Sequence, residues 1–304
     1  MKIPSISLLS VLLSLIPVLF AVVTNVPSRN LIGLQSQEVQ TRVRPGELHR
    51  LMVLAPHLNQ EVFLERADAN VSAAEVEDVT SLLMKYSLPI LTKNIAANAP
   101  APLYIRLFSS QSTFSTAVRQ HFPAAAQKVA LLQGFTDQTT AYIPLYQYTS
   151  GTAHTHYDNA DLVNVLTHEL THVILNAYGI SIPVWVNEGF ASYNGMDAQR
   201  GFDANYASRM SNSGYYNLNF AARSGELIPL TQNSEQAIVT DSNYNLEFED
   251  FAAVSELIAD NGLGSFKRFL FLSQKHQASD AYDETYHSAM MQYETFFYDY
   301  TLNK

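Results

Sequence analysis

The pattern of apolar and polar residues divides the chain into two parts with different periodicities. Between residues 59 and 150, short alternating segments typical of strands are interrupted by helical segments. The strand candidates are NQEVFLERA, APLYIRLF, KVALLQGFT and TTAYIPLYQY. After Asp158 the apolar residues recur at helical intervals, which predicts helices over 158–178, 184–196, 247–261, 262–275 and 278–300. The pattern predicts an α+β fold in which a small α/β unit comes first and a mainly helical part follows.

Helix signals mark three of the predicted elements. Ser72 and Glu75 have capping-box spacing at the start of one helix, and a second helix is expected over residues 112–121. The helix that begins near Asp158 ends at Gly179. Its apolar residues cover much of the circumference, so we expect it to be buried on several sides. These residues are Leu162, Val165, Leu166, Leu170, Val173 and Ile174.

Composition narrows the functional classes. The 304 residues are 47% hydrophobic, which is enough for a substantial core. The chain has no cysteine, so disulfides, thiolate metal sites and cysteine nucleophiles are excluded, and a metal would need His, Asp or Glu ligands. A formal charge of −10 argues against a nucleic-acid partner, which a basic surface would recognise.

An uncharged apolar run over residues 6–23 predicts a targeting or anchoring segment. Its length fits both a cleaved signal peptide and a retained membrane anchor, so residues 1–23 are expected to be one or the other. Either case predicts an exported protein, secreted or attached to the outer face of a membrane. Residues 24–58 carry little periodicity and are expected to form a linker.

The segment HELTHVILNA places His168 and His172 four residues apart on the helix that begins near Asp158. Residues i and i+4 share a helix face, so both imidazoles can bind one metal ion. Zinc suits them, because catalytic zinc sites combine such ligands with a third protein group and a water. Glu169 can take a proton from that water and pass it to a leaving amine. The alternative is a helix that carries this short pattern by chance.

A third candidate ligand, Glu188, follows in the segment VWVNEGFASY on the next predicted helix, after a turn at Gly179 and Pro183. An apolar helix that carried two histidines and a glutamate without partners would be costly to bury. The spacing therefore favours a metal site over chance.

These two segments resemble the gluzincin zinc metallopeptidases, and the layout of the chain is similar to that of the peptidase MA-like family. VWVNEGFASY is similar to the third-ligand helix of the aminopeptidase N-like enzymes. The resemblance implies one Zn²⁺ ion held by His168, His172 and Glu188, with Glu169 as the general base that deprotonates the metal-activated water. It implies hydrolysis of a peptide or protein substrate without an acyl-enzyme.

The resemblance also implies a thermolysin-like fold. Residues 59–304 would form the peptidase domain, with 59–180 as an N-terminal lobe containing a small mixed sheet and the zinc helix, and 181–304 as a helical C-terminal lobe. Related enzymes stabilise the oxyanion with a tyrosine or histidine from the C-terminal lobe. This sequence has Phe248 at that place, and phenylalanine cannot donate a hydrogen bond. Tyr244, one turn earlier, is the candidate, with an ordinary aromatic at a helix start as the alternative.

Two alternatives to a general peptidase stay open at this point. One is an aminopeptidase, although the Gly-x-Met-x-Asn segment that anchors a free amino terminus is missing from the sequence. The other is a zinc-stabilised binding or scaffold domain with little or no turnover. This alternative stays open because Phe248 stands where related enzymes have an oxyanion donor.

Further residues are expected near the cleft. Ser192 stands where thermolysin-like enzymes carry an aspartate that supports a histidine ligand, and either its hydroxyl or Asp161 would take that role. Asn187 is expected to orient Glu188 or bind substrate, or to cap a helix. The segment TTAYIPL is the candidate edge strand for extended substrate. His154 and His156 are expected in a loop, with a second metal site as the alternative. Trp185 and the aromatic residues of 282–300 are expected to pack in the core.

Overall fold

A mixed sheet of five strands forms the first part of the fold. The computed structural model describes residues 49–55, 58–96, 99–121, 132–147, 156–234, 237–238 and 244–303. The strands are β1 (His49–Ala55), β2 (Leu58–Arg66), β3 (Leu103–Phe108), β4 (Phe135–Asp137) and β5 (Thr140–Pro144). Their order is β1-β2-β3-β5-β4. The two central pairings, β2 with β3 and β3 with β5, are parallel, and the two outer pairings are antiparallel.

The first strand corrects the expected domain boundary. β1 pairs along its whole length with β2 and lies within residues 24–58, which were expected to form a linker. The folded domain therefore begins at least ten residues before Asn59. The strand expected in KVALLQGFT is confirmed only at its last two residues, Phe135 and Thr136, which begin β4. Residues 122–131 lie outside the described part of the chain.

Three helices accompany the sheet. α1 (Ala73–Leu82) starts at the predicted capping box, in which Ser72 and Glu75 each accept a hydrogen bond from the other's backbone. It continues through a π-helical turn, Leu83–Ser87, into α2 (Leu88–Asn94). α3 (Gln111–His121) confirms the second predicted helix.

The helix that carries the two histidines lies in the centre of the fold. α4 (His156–Ala177) packs on β5 and on α5 (Val184–Phe202). All six apolar residues expected to bury it are at most 6% exposed, and Thr167 and Thr171 are fully buried as well. The prediction of a helix buried on several sides is confirmed.

The C-terminal part is helical as expected, with two differences. α6 (Ala204–Ser224) was not predicted; Asp203 caps its start and left-handed Gly225 ends it. α7 (Leu246–Leu272) is broken at Gly262, whose φ of 80° gives the two helices that the sequence predicts. The single helix expected over 278–300 is instead α8 (Ala278–Tyr286) and α9 (Met290–Asn303), because His287 turns the chain with a φ of 56°.

One hydrophobic core joins the sheet, α4, α5 and α7. The two expected lobes, 59–180 and 181–304, therefore share this core. Trp185 is 1% exposed within it, which confirms the prediction of core packing. None of the helices in the described ranges is both long and apolar enough to cross a membrane. The apolar run 6–23 lies outside those ranges.

Candidate metal centre

Two ligand candidates come from one face of α4, as the i, i+4 spacing predicts. The Nε2 atoms of His168 and His172 lie 3.0 Å apart. Their side chains are 14% and 10% exposed, so the site is nearly enclosed but open to solvent at one side. The two imidazoles therefore converge on one point rather than diverging along the helix.

Glu188 on α5 completes the group. Its Oε2 atom lies 3.3 Å from the Nε2 atom of each histidine. A tetrahedral zinc ion with ligands at 2.0–2.1 Å requires ligand atoms that are about 3.3 Å apart. The observed triangle, with sides of 3.0, 3.3 and 3.3 Å, has this size. Among the described residues, no other group of three His, Asp or Glu side chains is arranged to hold a metal ion.

Two glycines allow α5 to bring Glu188 to this position. A Cβ atom at Gly189 would lie 2.2 Å from the carbonyl oxygen of Asp250 on α7, and one at Gly195 would lie 2.6 Å from Oδ1 of Asn164 on α4. Neither position has room for a side chain. α5 is therefore held between α4 and α7 at the residue that follows the third ligand.

The histidines and Glu188 stabilise one another's charged forms. Burial alone would lower the pKa of His172, but the charge and hydrogen bond of Glu188 outweigh it and raise that pKa to about 9. Burial tends to raise the pKa of Glu188, yet the two histidines hold it well below its usual value. Both histidines are thus shifted toward their protonated forms beside the carboxylate, and a bound cation would supply that positive charge instead.

One of the two histidines has a hydrogen-bond partner outside the triangle. Ser192 places its Oγ atom 3.3 Å from Nδ1 of His168, so the hydroxyl fills the predicted supporting role. Asn187 helps to raise the pKa of His172, but Nδ1 of His172 is buried without a hydrogen-bond partner among the described residues. Asp161 accepts hydrogen bonds from Tyr206 and Gln199 and so ties α4 to α5 and α6.

The general-base candidate, Glu169, is fixed by the edge strand. Thr136 on β4 donates from Oγ1 to Oε2 of Glu169 at 2.7 Å. A Cβ atom at Gly134 would lie 2.5 Å from Oε1, so the glycine leaves space for the carboxylate. Burial raises the pKa of Glu169, although the two histidines oppose that shift. A raised pKa brings the carboxylate nearer to the range in which a general base works at neutral pH.

The edge of the sheet next to this carboxylate is β4, not the predicted TTAYIPL segment. β5, which contains most of that segment, pairs with β3 on one side and β4 on the other. The prediction chose the inner strand next to β4, because the three residues of β4 are too few to show a strand period.

Tyr244 is engaged elsewhere in the C-terminal part. Its hydroxyl accepts a hydrogen bond from the backbone of Ile228 and donates to Glu249. None of its hydrogen bonds involves a candidate ligand. Phe248 packs against Tyr215 and Phe251, with ring centroids 5.1 Å away in each case. The role of Tyr244 as oxyanion donor stays a prediction that these contacts do not support.

Glu247 is a residue near the site that the sequence did not single out. Burial raises the pKa of this carboxyl, and the charges of His168, Glu188, Glu169 and His172 all act on it. No Lys or Arg in the described ranges forms an ion pair with it. Glu247 belongs to no sequence motif. It is close to the candidate ligands only because α7 packs against α5 in the folded chain.

The loop expected for His156 is wrong, because this residue begins α4. His154 lies outside the described residues, so its place in a loop stays a prediction. No protein-family model matches this chain, and the comparison with curated proteins found no match, so the metal centre rests on the residues and their geometry.

Proposed function

We propose that this chain is a zinc-dependent metallopeptidase with Glu169 as general base. The observation that carries the proposal is the triangle of His168, His172 and Glu188 atoms, whose sides match a tetrahedral zinc site. A neighbouring carboxylate that is fixed by a hydrogen bond but is not part of the triangle distinguishes a catalytic arrangement from a purely structural one.

Each residue has a defined part in the proposed reaction. Zinc, when bound, acidifies a water and polarises the scissile carbonyl. Glu169 removes a proton from the water as its oxygen bonds to the carbonyl carbon, and then gives that proton to the leaving nitrogen as the C–N bond breaks. Thr136 keeps Oε2 of Glu169 in place, so the carboxylate does not have to be ordered during the step.

The edge strand supports a peptide as the substrate. Among the described strands, β4 lies at one end of the sheet beside β5, and its Thr136 hydrogen-bonds the candidate general base. An extended peptide can add to such an edge through backbone hydrogen bonds. A substrate chain aligned on β4 would therefore pass beside Glu169.

Glu247 favours one narrower alternative, an aminopeptidase. A carboxyl group that lies near the site and is paired with no described Lys or Arg is suited to the ammonium group of a free peptide N-terminus. Peptides that differ only in N-terminal acetylation separate the two cases. An aminopeptidase cleaves only the free form, whereas an endopeptidase cleaves both.

The test of the proposal combines zinc content with hydrolysis of a quenched peptide library. Wild type should bind one zinc per chain and cleave peptides, and Glu169→Gln should keep the zinc but lose cleavage by at least about 100-fold. Glu77→Gln, on the exposed side of α1, is the matched control and should behave as wild type. Zinc binding without any cleavage by wild type would reject the peptidase and leave the zinc-stabilised scaffold.

A further inference from the structure

Aromatic side chains line a cavity in the C-terminal part of the fold. None of the metal-centre residues lies in it. It has a volume of about 230 Å³ and lies between α7, α8 and α9. Tyr282 and Tyr293, which are 1% and 9% exposed, form its floor. Tyr286 and the 52% exposed Phe296 form its walls. Two of these rings are in close contact: the centroids of Tyr282 and Tyr286 lie 4.5 Å apart, with the ring planes tilted by 50°.

The breaks in the helices create this cavity. Left-handed His287 separates α8 from α9, so the tyrosines of the two helices converge instead of continuing along one helix. On the opposite side, the break at Gly262 in α7 comes two residues after Asp260, an exposed carboxylate at the cavity. A single helix over 278–300, as the periodicity predicts, would not form this cavity.

The charges around the cavity are negative. Glu256 and Asp260 act on the Tyr293 hydroxyl, and Asp283 and Glu294 act on that of Tyr282. Burial raises the pKa of both phenols, and these carboxylates raise it further. None of the described residues that line the cavity is Lys or Arg. A cation would therefore meet attractive charge without displacing a basic side chain.

Aromatic faces attract cations as well. The negative face of a tyrosine or phenylalanine ring draws an ammonium group that lies within about 6 Å of its centroid. We propose that this cavity binds a substituted ammonium group, with the accessible rings of Tyr286 and Phe296 beside it and Asp260 as its counter-charge. The volume is below the 300–1,000 Å³ of sites for drug-sized ligands, so the ligand is a small amine or a single lysine side chain.

Trp185 provides a direct signal for binding. It is the only tryptophan of the chain, and its ring stacks on Tyr293 with centroids 5.9 Å apart. A ligand that contacts the floor of the cavity should therefore change the intrinsic tryptophan fluorescence of the zinc-loaded protein.

The test titrates choline against its neutral isostere, 3,3-dimethylbutan-1-ol, with fluorescence and calorimetry as readouts. Choline should bind at least about tenfold more tightly than the alcohol, because only the charge differs between them. Equal affinities, or no binding of choline, would overturn the proposal. A second pair, the Nα-acetyl methylamides of lysine and norleucine, separates the two sources of the ammonium group. Binding of the lysine compound more tightly than choline points to a peptide side chain, and weaker binding points to a free amine.

Charge-neutral variants locate the site. Asp260→Asn should weaken choline binding several-fold, whereas Asp280→Asn, which removes an exposed charge from α8 outside the cavity, should leave it unchanged. Tyr286→Leu should abolish the preference for choline over the alcohol. Unchanged thermal unfolding of each variant establishes that it is folded. If Asp260→Asn binds choline as wild type does, the cavity is not the site.

Discussion

Gly189→Ala would force apart two helices at the residue that follows the third candidate ligand. The new Cβ atom would lie 2.2 Å from the Asp250 carbonyl oxygen and 2.6 Å from Cγ2 of Val254. Ordinary contacts are at least about 1 Å longer, and the nearest obstacle is backbone, so α5 must move relative to α7. Overpacking of this kind costs up to about 3 kcal/mol, which corresponds to a fall in Tm of roughly 6–12 °C for a domain of this size.

Gly201→Ala is the matched control in the same helix. Its Cβ atom would meet only Cδ1 of Tyr86, at an ordinary distance of 3.8 Å. Alanine is the better helix former, so the control should leave Tm unchanged or raise it by up to about 4 °C.

Calorimetry and zinc titration together test this packing. Because Glu188 adjoins Gly189, a shift of α5 should also weaken zinc binding by about tenfold or more in Gly189→Ala but not in Gly201→Ala. If both variants unfold at the wild-type temperature and bind zinc equally, the inferred close contact between α5 and α7 is wrong.

Three more predictions concern side chains around the site and in the C-terminal part. Thr136→Val should lower kcat by about 10–100-fold with little change in KM, because a hydrogen bond to the charged Glu169 is lost. Thr136→Ser should recover most of the rate. Equal kcat values for Thr136→Val and wild type would refute the positioning role. Ser192→Ala should weaken zinc binding by about tenfold, measured by competition with a chelator, and unchanged affinity would show that its hydroxyl is dispensable. Burial raises the pKa of Glu249 from 4.5 to about 7, so the folded state binds the extra proton and wild type should lose up to about 3 kcal/mol of stability as the pH rises through that interval. Denaturant unfolding of Glu249→Gln at pH 5 and pH 8 should lack this loss, and an identical loss in the variant would contradict the assignment.

Local signals predicted the centre of the fold well. Apolar periodicity and the stop at Gly179 located α4, and the i, i+4 spacing correctly placed His168 and His172 on one face. The place of Glu188 could also be anticipated, because a turn and Pro183 separate two helices that must return along each other. These features depend on residues that are close together in the sequence, so they can be predicted from it.

Features that depend on distant pairing were not predicted. β1 is a strand through its pairing with β2, and its short apolar run LMVLA lacks the alternation that would predict a strand. Thr136 reaches Glu169 across the sheet edge, and Glu247 comes from a helix more than fifty residues beyond the third ligand. α6 had local signals at Asp203 and Gly225, but its polar and half-exposed composition gave a weak apolar period.

The central claim is that His168, His172 and Glu188 together hold one zinc ion. Crystals of the zinc-loaded protein, measured on both sides of the zinc absorption edge, test it most directly. We expect one anomalous peak per chain, about 2.0–2.2 Å from Nε2 of both histidines and from a carboxylate oxygen of Glu188. A peak at another site, or a Glu188 carboxylate that does not contact the ion, would contradict it.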